Sequence, residues 1–344
     1  MPSTLLIRAD ASPAIGVGHA MRCLALAQAW QDGGGGVVWF AREMPASLAA
    51  RLRREGVALH LSSGPVGGAR DAGAVRRLAR RSGAAWIAVD GYRFGPAYLG
   101  TLHGGGPRLL AIDDMAHLEH YPVDVLLNQN EGASAASYAG KLGASVPLLL
   151  GARHSLLRRE FRAGCAPRPA RAGRRLRLLV TMGGSDPVNA TQTILGRLAA
   201  GRHAHLHVAV VAGAANPHVA ALRAATARAP YQCELHVAVD SLAPLMAWAD
   251  AAIAAAGSTV WELAAMELPA LVGAGEGNQF AVLRGLGAIP FFRAGAMSEL
   301  LNWNLADELD ALLARPVDAA WRSFGAAGAA RVVETLRGRS ALAA

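Results

Sequence analysis

The chain has 344 residues, 53% of them hydrophobic and 17% charged, with a formal net charge of +9. That length accommodates two domains of ordinary size, and the apolar content excludes a disordered chain. The charge is nearly all arginine, Lys141 being the only lysine. Without an aromatic-interleaved basic stripe this excludes a nucleic-acid binder and leaves an attraction for anionic small molecules.

In chain order, the apolar run Thr4–Arg8 predicts a first strand, and His19–Gln31 a helix with Leu24, Ala27 and Gln28 at core-facing spacing. Gly33–Gly36 end that helix, and Val37–Ala41 reads as a buried strand. Ser47–Glu55 is expected to be helical, Ala58–Leu61 a short strand and Gly73–Ser82 a helix. Trp86–Val89, Arg108–Ile112 and Val123–Leu127 are three more strands, followed by Asp90, Asp113 and Asn128-Gln129-Asn130. Polar groups just past strand ends are what a doubly wound sheet places at its ligand face.

The proline-, glycine- and arginine-rich segment 164–175 reads as a linker, which makes residues 1–163 a first Rossmann-like domain. The pattern then restarts over 176–318. Strands are predicted at Leu176–Met182, His205–Val211, Cys233–Val237, Ala251–Ala254 and Ala270–Val272. Helices are predicted from Asn189, over Ser241–Ala249 and Thr259–Met266, from Asn278 and over Asp307–Ala314. A last helix within 319–344, Ala319–Arg337, has the option of packing back on the other domain. The fold class expected is therefore α/β, two Rossmann-like domains facing a cleft.

Cys23, Cys165 and Cys233 are too few and too scattered for a disulfide framework or a zinc site, which favours a reducing cytoplasm. The N-terminus enters a strand directly, with no signal-peptide pattern. The apolar stretch from Ala247 to Ala274 is broken by Asp250, Glu262 and Glu267, so it does not read as a membrane span. A cytoplasmic protein is expected, acting on a small molecule.

Three glycine corners carry chemistry. In Gly16-Val17-Gly18-His19-Ala20-Met21, Met21 stands where a dinucleotide fingerprint has its third glycine, and the second strand ends without the acidic partner for a ribose. That argues against hydride transfer and against a nicotinamide cofactor. His19 sits near a helix N-terminus, where the macrodipole disfavours imidazolium and suits the ring to accept a proton. Arg22, one turn on, offers a guanidinium to developing charge on a leaving group, and Asp10 is a candidate to orient His19, bind a sugar or cap the loop.

The second corner, Gly183-Gly184-Ser185-Asp186-Pro187, follows a strand and lets the amides of Gly184 and Ser185 approach a phosphate. Its alternative is a tight turn with Asp186 or Asn189 as a helix cap. The third, Gly257-Ser258-Thr259, offers amides and two hydroxyls, and Glu262 one turn in can accept both hydroxyls of a ribose. Thr259-x-x-Glu262 is also a capping box that needs no ligand. Asn278 and Gln279 follow another strand at the same rim. Three such corners point to a nucleotide diphosphate held by the second half, with His19 facing it from the first.

Taken in order, these segments resemble one family. The resemblance rests on Arg8-Ala9-Asp10, Ile15-Gly16-Val17-Gly18-His19-Ala20-Met21-Arg22, Val89-Asp90-Gly91-Tyr92, Asp113-Asp114 and Asn128-Gln129-Asn130. It continues through Leu156–Phe161, Gly183–Pro187 with Asn189 and Thr191, Ala256–Glu262 and Asn278-Gln279. The family is the UDP-2,4-diacetamido-2,4,6-trideoxy-β-L-altropyranose hydrolase of pseudaminic acid synthesis, and the likeness covers most of the chain. It implies a GT-B-like fold and metal-independent, inverting attack of water on the anomeric carbon of a UDP-sugar, without a cofactor. It further implies that His19 is the base or water-orienting group, that Tyr92 and Asn278 contact sugar and phosphate, that Glu262 meets the ribose and that Gly257-Ser258-Thr259 meets the diphosphate. The rival enzyme is a glycosyltransferase of the same fold moving sugar to a glycan or lipid acceptor, and a third class is a nucleotide-sugar binding protein without turnover.

Overall fold

A computed structural model describes residues 3–12, 14–104, 106–163, 175–201, 205–275, 277–287, 289–315 and 326–338. The chain separates into two compact units, one formed by Met1–Arg159 with Ala327–Ala344 and the other by Glu160–Ala326. The expected linker at 164–175 falls, but for Arg175, outside the described residues, as do residues 319–325 of the expected last helix.

The first unit is a seven-stranded sheet in the order β3-β2-β1-β4-β5-β6-β7, parallel throughout. Its strands are β1 (Thr4–Ala9), β2 (Gly36–Ala41), β3 (Ala58–Leu61), β4 (Ala84–Asp90), β5 (Arg108–Ile112), β6 (Val125–Asn128) and β7 (Leu148–Leu150). Parallel strands need crossovers, and the helices that supply them cover both faces, so β1, β4 and β6 read as nearly unbroken apolar runs. The strand order reverses between β1 and β4. Outside the carboxyl ends of those two strands is where an open α/β sheet holds its ligand.

Helix α1 (Gly18–Asp32) runs back from that point. It is buried on nearly every side, from His19 to Trp30, because the sheet covers one face and the helix Gly328–Leu336 covers another. This late helix belongs to the first unit: Val332, Val333 and Leu336 join the core of Leu5, Ile7, Leu24 and Trp30. The indole of Trp86 donates to the Leu336 carbonyl at 2.8 Å, and Arg337 donates to the Gly33 and Trp30 carbonyls while lying over the Trp30 ring.

The helix starts at a glycine for a steric reason. A Cβ on Gly328 would overlap the Ser155 carbonyl oxygen and lie 2.7 Å from the Ser155 nitrogen, both backbone atoms that cannot swing aside. Gly328→Ala is therefore expected to cost about 1–3 kcal/mol of stability, the usual range for overpacking. A lower thermal midpoint would register it; an unchanged midpoint would show that the contact yields freely.

The second unit is a six-stranded parallel sheet in the order β10-β9-β8-β11-β12-β13. Its strands are β8 (Leu176–Thr181), β9 (Leu206–Ala212), β10 (Gln232–Val237), β11 (Ala251–Ala255), β12 (Ala270–Ala274) and β13 (Phe292–Ala296). The same logic puts its switch between β8 and β11, and both glycine corners of this half follow those two strands.

Candidate active site

At the switch of the first unit, β1 and β4 run in register with Ala9 opposite Asp90. Asp90 is the last residue of β4 and is almost wholly buried. Its Oδ1 lies 2.7 Å from Nδ1 of His19, and it accepts from Arg22 at both oxygens, Nε to Oδ2 at 2.6 Å and Nη2 to Oδ1 at 2.7 Å. The Cys23 thiol also donates to Oδ2 at 3.5 Å. His19, Arg22 and Cys23 reach one carboxylate because they share the face of α1 turned to β4, at spacings of three and four.

This arrangement fixes the histidine. Asp90 is acceptor-only and lies 2.7 Å from Nδ1, nearer than the Arg22 Nη2 at 3.2 Å, so Nδ1 carries the proton that lies between it and the carboxylate and Nε2 keeps its lone pair. The Tyr92 ring meets the imidazole edge-on at 4.7 Å between centroids. Burial alone would raise the Asp90 carboxyl, but Arg22 and then His19 hold it well below the ordinary carboxylate range. Burial likewise pushes the Cys23 thiol up, with Asp90 adding to it, so Cys23 is a neutral donor here.

A second carboxylate closes the cluster. Arg22 donates through Nη1 to Asp114 Oδ1 at 2.6 Å, the Tyr92 hydroxyl donates to Asp114 Oδ2 at 2.8 Å, and Asn130 Nδ2 lies 3.3 Å from Oδ1. Asp114 follows β5 and Asn130 follows β6, so four adjacent strand ends supply the group. Beside it, Asp113 accepts from the Tyr138 hydroxyl at 2.6 Å and from the Ala116 amide at 2.7 Å.

Two expectations for this unit are corrected by the geometry. Arg22 is not a free guanidinium for a diphosphate: its three nitrogens are engaged with Asp90 and Asp114, and it is 7% exposed. Asp10 does not orient His19, since that place is taken by Asp90. Asp10 Oδ1 accepts the amides of Arg42 at 2.7 Å and Glu43 at 3.2 Å and pairs with Arg8 at 2.8 Å, so it ties the loop after β2 to the end of β1. Tyr92 is half-exposed, and its hydroxyl, donating to Asp114, keeps its lone pairs as acceptors. Gly18 opens α1, which no side chain caps, and the preceding turn is set by Gly16 at φ +73°, whose amide donates to the Ser12 carbonyl at 2.8 Å.

In the second unit, Gly183, at φ +82°, and Gly184 follow β8, and a Cβ on either meets no other atom within 4 Å. Asp186 is the helix cap, accepting the amides of Ala190 at 2.8 Å and Thr191 at 3.0 Å. That leaves Gly184 and Ser185 at the turn. After β11, the helix Thr259–Ala265 starts from Ser258, which makes no side-chain cap bond. Glu262 is buried within this helix. Gln279 Oε1 accepts the Gly275 amide at 2.8 Å. Asn278 lies in the first turn of the helix Gly277–Leu286, and its side chain is outside the described residues.

Among the described residues no group of three or more His, Cys, Asp or Glu is placed to hold a metal ion, and no helix is long and apolar enough to cross a membrane.

No protein-family model matches the chain, and no curated protein matches its sequence. Solved structures do match. Acinetobacter baumannii MurG aligns at 17% identity and a TM-score of 0.63, over 98% of this chain and 100% of that one. The S. aureus MnaA–UDP co-structure aligns at 10% identity and 0.66, over 99% and 98%. The UDP-GlcNAc 2-epimerase of Methanocaldococcus jannaschii aligns at 8% and 0.62, over 98% and 100%. The fold is GT-B-like. At these identities the likeness carries the fold alone, and the sequence-based expectation of a GT-B-like pair of α/β domains agrees with it.

The residues missed by sequence reasoning as functional are Asp90, Asp114 and Asn130. Each stands at or just past a strand end on the ligand side, which was visible; what was not visible is that β4 lies beside β1. That adjacency brings residue 90 to residue 19.

Proposed function

We propose that the protein is an enzyme that hydrolyses a UDP-linked sugar at the anomeric C–O bond. The observation that carries this reading is the His19–Asp90 dyad at the switch point of the first sheet, with Nδ1 held and Nε2 left as a base. In the step, His19 Nε2 takes a proton from water and the water oxygen bonds to the anomeric carbon. The bond from that carbon to the phosphate oxygen breaks, its electron pair leaving with UDP. Free sugar and UDP are the products, and attack opposite the leaving group inverts the anomeric centre.

The resemblance of the ordered segments to the diacetamido-trideoxy-altropyranose hydrolases supports this sugar class and a place in surface-glycan synthesis. The glycine corners after β8 and β11 are assigned the nucleotide, Gly184, Ser185 and Gly257-Ser258-Thr259 offering amides and hydroxyls to the diphosphate and Glu262 meeting the ribose. Two compared structures are a complex with UDP and a UDP-GlcNAc epimerase, which fits a uridine nucleotide. UDP leaves without a metal in this reading because backbone amides at strand–helix corners take up its charge.

Incubation with a panel of UDP-sugars, with and without EDTA, tests the proposal. UDP and free sugar are expected without any acceptor and in the presence of EDTA. Release only on adding an acceptor would replace hydrolysis by transfer, recovery of an epimerised UDP-sugar would replace it by epimerisation, and binding without turnover would leave a binding protein.

A further inference from the structure

The cluster beneath His19 contains more charge than a histidine–carboxylate pair needs. Asp90 and Asp114 are both buried, and they share one guanidinium, that of Arg22. Burial opposes ionisation of Asp114 as it does of Asp90, yet Arg22 keeps the Asp114 carboxyl below its ordinary range. Two carboxylates and one guanidinium sum to a single negative charge, set in a site where an uncompensated charge is costly.

We infer that Asp114 is a positioning residue for His19: by sharing Arg22 with Asp90 it leaves the cluster one negative charge, which the proton accepted by His19 neutralises. Asp90 by itself, paired in a two-oxygen fork with Arg22, would already be neutralised and would give the imidazolium little support. Asp114 takes the third Arg22 nitrogen, Nη1, beside the intact fork, and its own negative charge restores that support. Its other oxygen takes the Tyr92 hydroxyl, which holds the Tyr92 ring against the imidazole edge. One carboxylate thus acts on the histidine by charge and by placement, without touching it.

The other groups facing the site are the same in the proteins compared below, so they cancel from the difference. Cys23 on α1 is a neutral thiol, and Asn130 after β6 is an amide. Asp10 after β1 is compensated by Arg8 at 2.8 Å, with Arg93 at 3.5 Å. Asp113 after β5 faces His117 at 3.4 Å and is held by Tyr138 and the Ala116 amide. The N-terminus of α1 opposes protonation of His19, which is a reason for a second carboxylate to be present.

The inference rests on His19 being the base, as proposed above, but its test does not need substrate. Imidazole NMR follows the titration midpoint of His19 in the full chain, in Asp114→Asn and in Arg22→Lys. Asp114→Asn removes the extra negative charge at almost constant shape and is expected to lower the midpoint by roughly one pH unit. Arg22→Lys loses the fork but keeps the charge count, and is expected to leave the midpoint within about 0.3 of a unit of the unaltered protein. A midpoint unmoved in Asp114→Asn, or moved as far by Arg22→Lys, would overturn the inference. If the midpoints move as expected while no UDP-sugar is turned over, the hydrolase reading fails and the electrostatic role of Asp114 stands. A pH–rate profile of Asp114→Asn whose acid limb shifts down with the NMR midpoint would tie the two together.

Discussion

Replacing His19 by alanine is expected to lower kcat for UDP release about 10²- to 10⁴-fold, the usual share of a general base. KM should change little, because the contacts assigned to the nucleotide lie in the second unit. The fold should survive the substitution: Asp90 keeps both bonds from Arg22, so no buried carboxylate is left without a cation. Steady-state rates alongside a thermal melt would separate the two effects. A His19→Ala protein with a normal melt and a normal rate would remove His19 from the chemistry.

Asp90→Asn is the second large effect, and it is not a conservative change here. Both Asp90 oxygens accept from Arg22, and one also meets His19 Nδ1. An amide must turn its NH₂ toward the guanidinium whichever way it is oriented, setting donor against donor at one end. If the NH₂ is placed on the His19 side, it also forces the ring into the wrong tautomer. We expect kcat to fall by a factor similar to that for His19→Ala, with a stability loss of about 3–5 kcal/mol from breaking a buried ion pair. Chemical denaturation would read the second quantity; a variant as stable as the parent would show that Asp90 contributes no net pairing.

The two effects differ in kind because the residues differ in burial and in partners. His19 sits at the mouth of α1 with one nitrogen committed. Asp90 lies buried at the carboxyl end of β4 with four donors on it. In the proposed reaction the first residue takes the proton and the second holds that residue in place.

Much of the scaffold was legible because period and punctuation agreed. Apolar runs bounded by glycine located β1, β2, β8 and β11, and the predicted helix His19–Gln31 differs from α1 by one residue at each end. Weak signals were lost. Strand β7 is three leucines after a proline, too short for a period to show, and β13 reads Phe-Arg-Ala-Gly-Ala, with no β-branched residue. Strand β6 was expected from Val123 but starts at Val125, since Asp124 turns back to accept the Leu109 amide at 2.6 Å.

The site was legible in part, for a reason tied to distance along the chain. His19 was visible because its whole local setting, glycine turn and helix start, is contiguous. Asp90 is 71 residues away and Asp114 lies 92 residues from Arg22, so only the strand order β1-β4-β5 joins them. Without that order, Asp10 is the natural partner for His19 and Arg22 the natural ligand for phosphate. With it, Asp10 is seen to tie a loop and Arg22 to be an internal cation shared by two carboxylates.

The role of His19 turns on which bond breaks. Turnover of a UDP-sugar in ¹⁸O-labelled water, with the UDP analysed by mass spectrometry at early times, decides it. Attack on the anomeric carbon puts the label in the sugar and leaves UDP unlabelled. Label in the terminal phosphate of UDP would mean cleavage at phosphorus and would contradict the role given to His19.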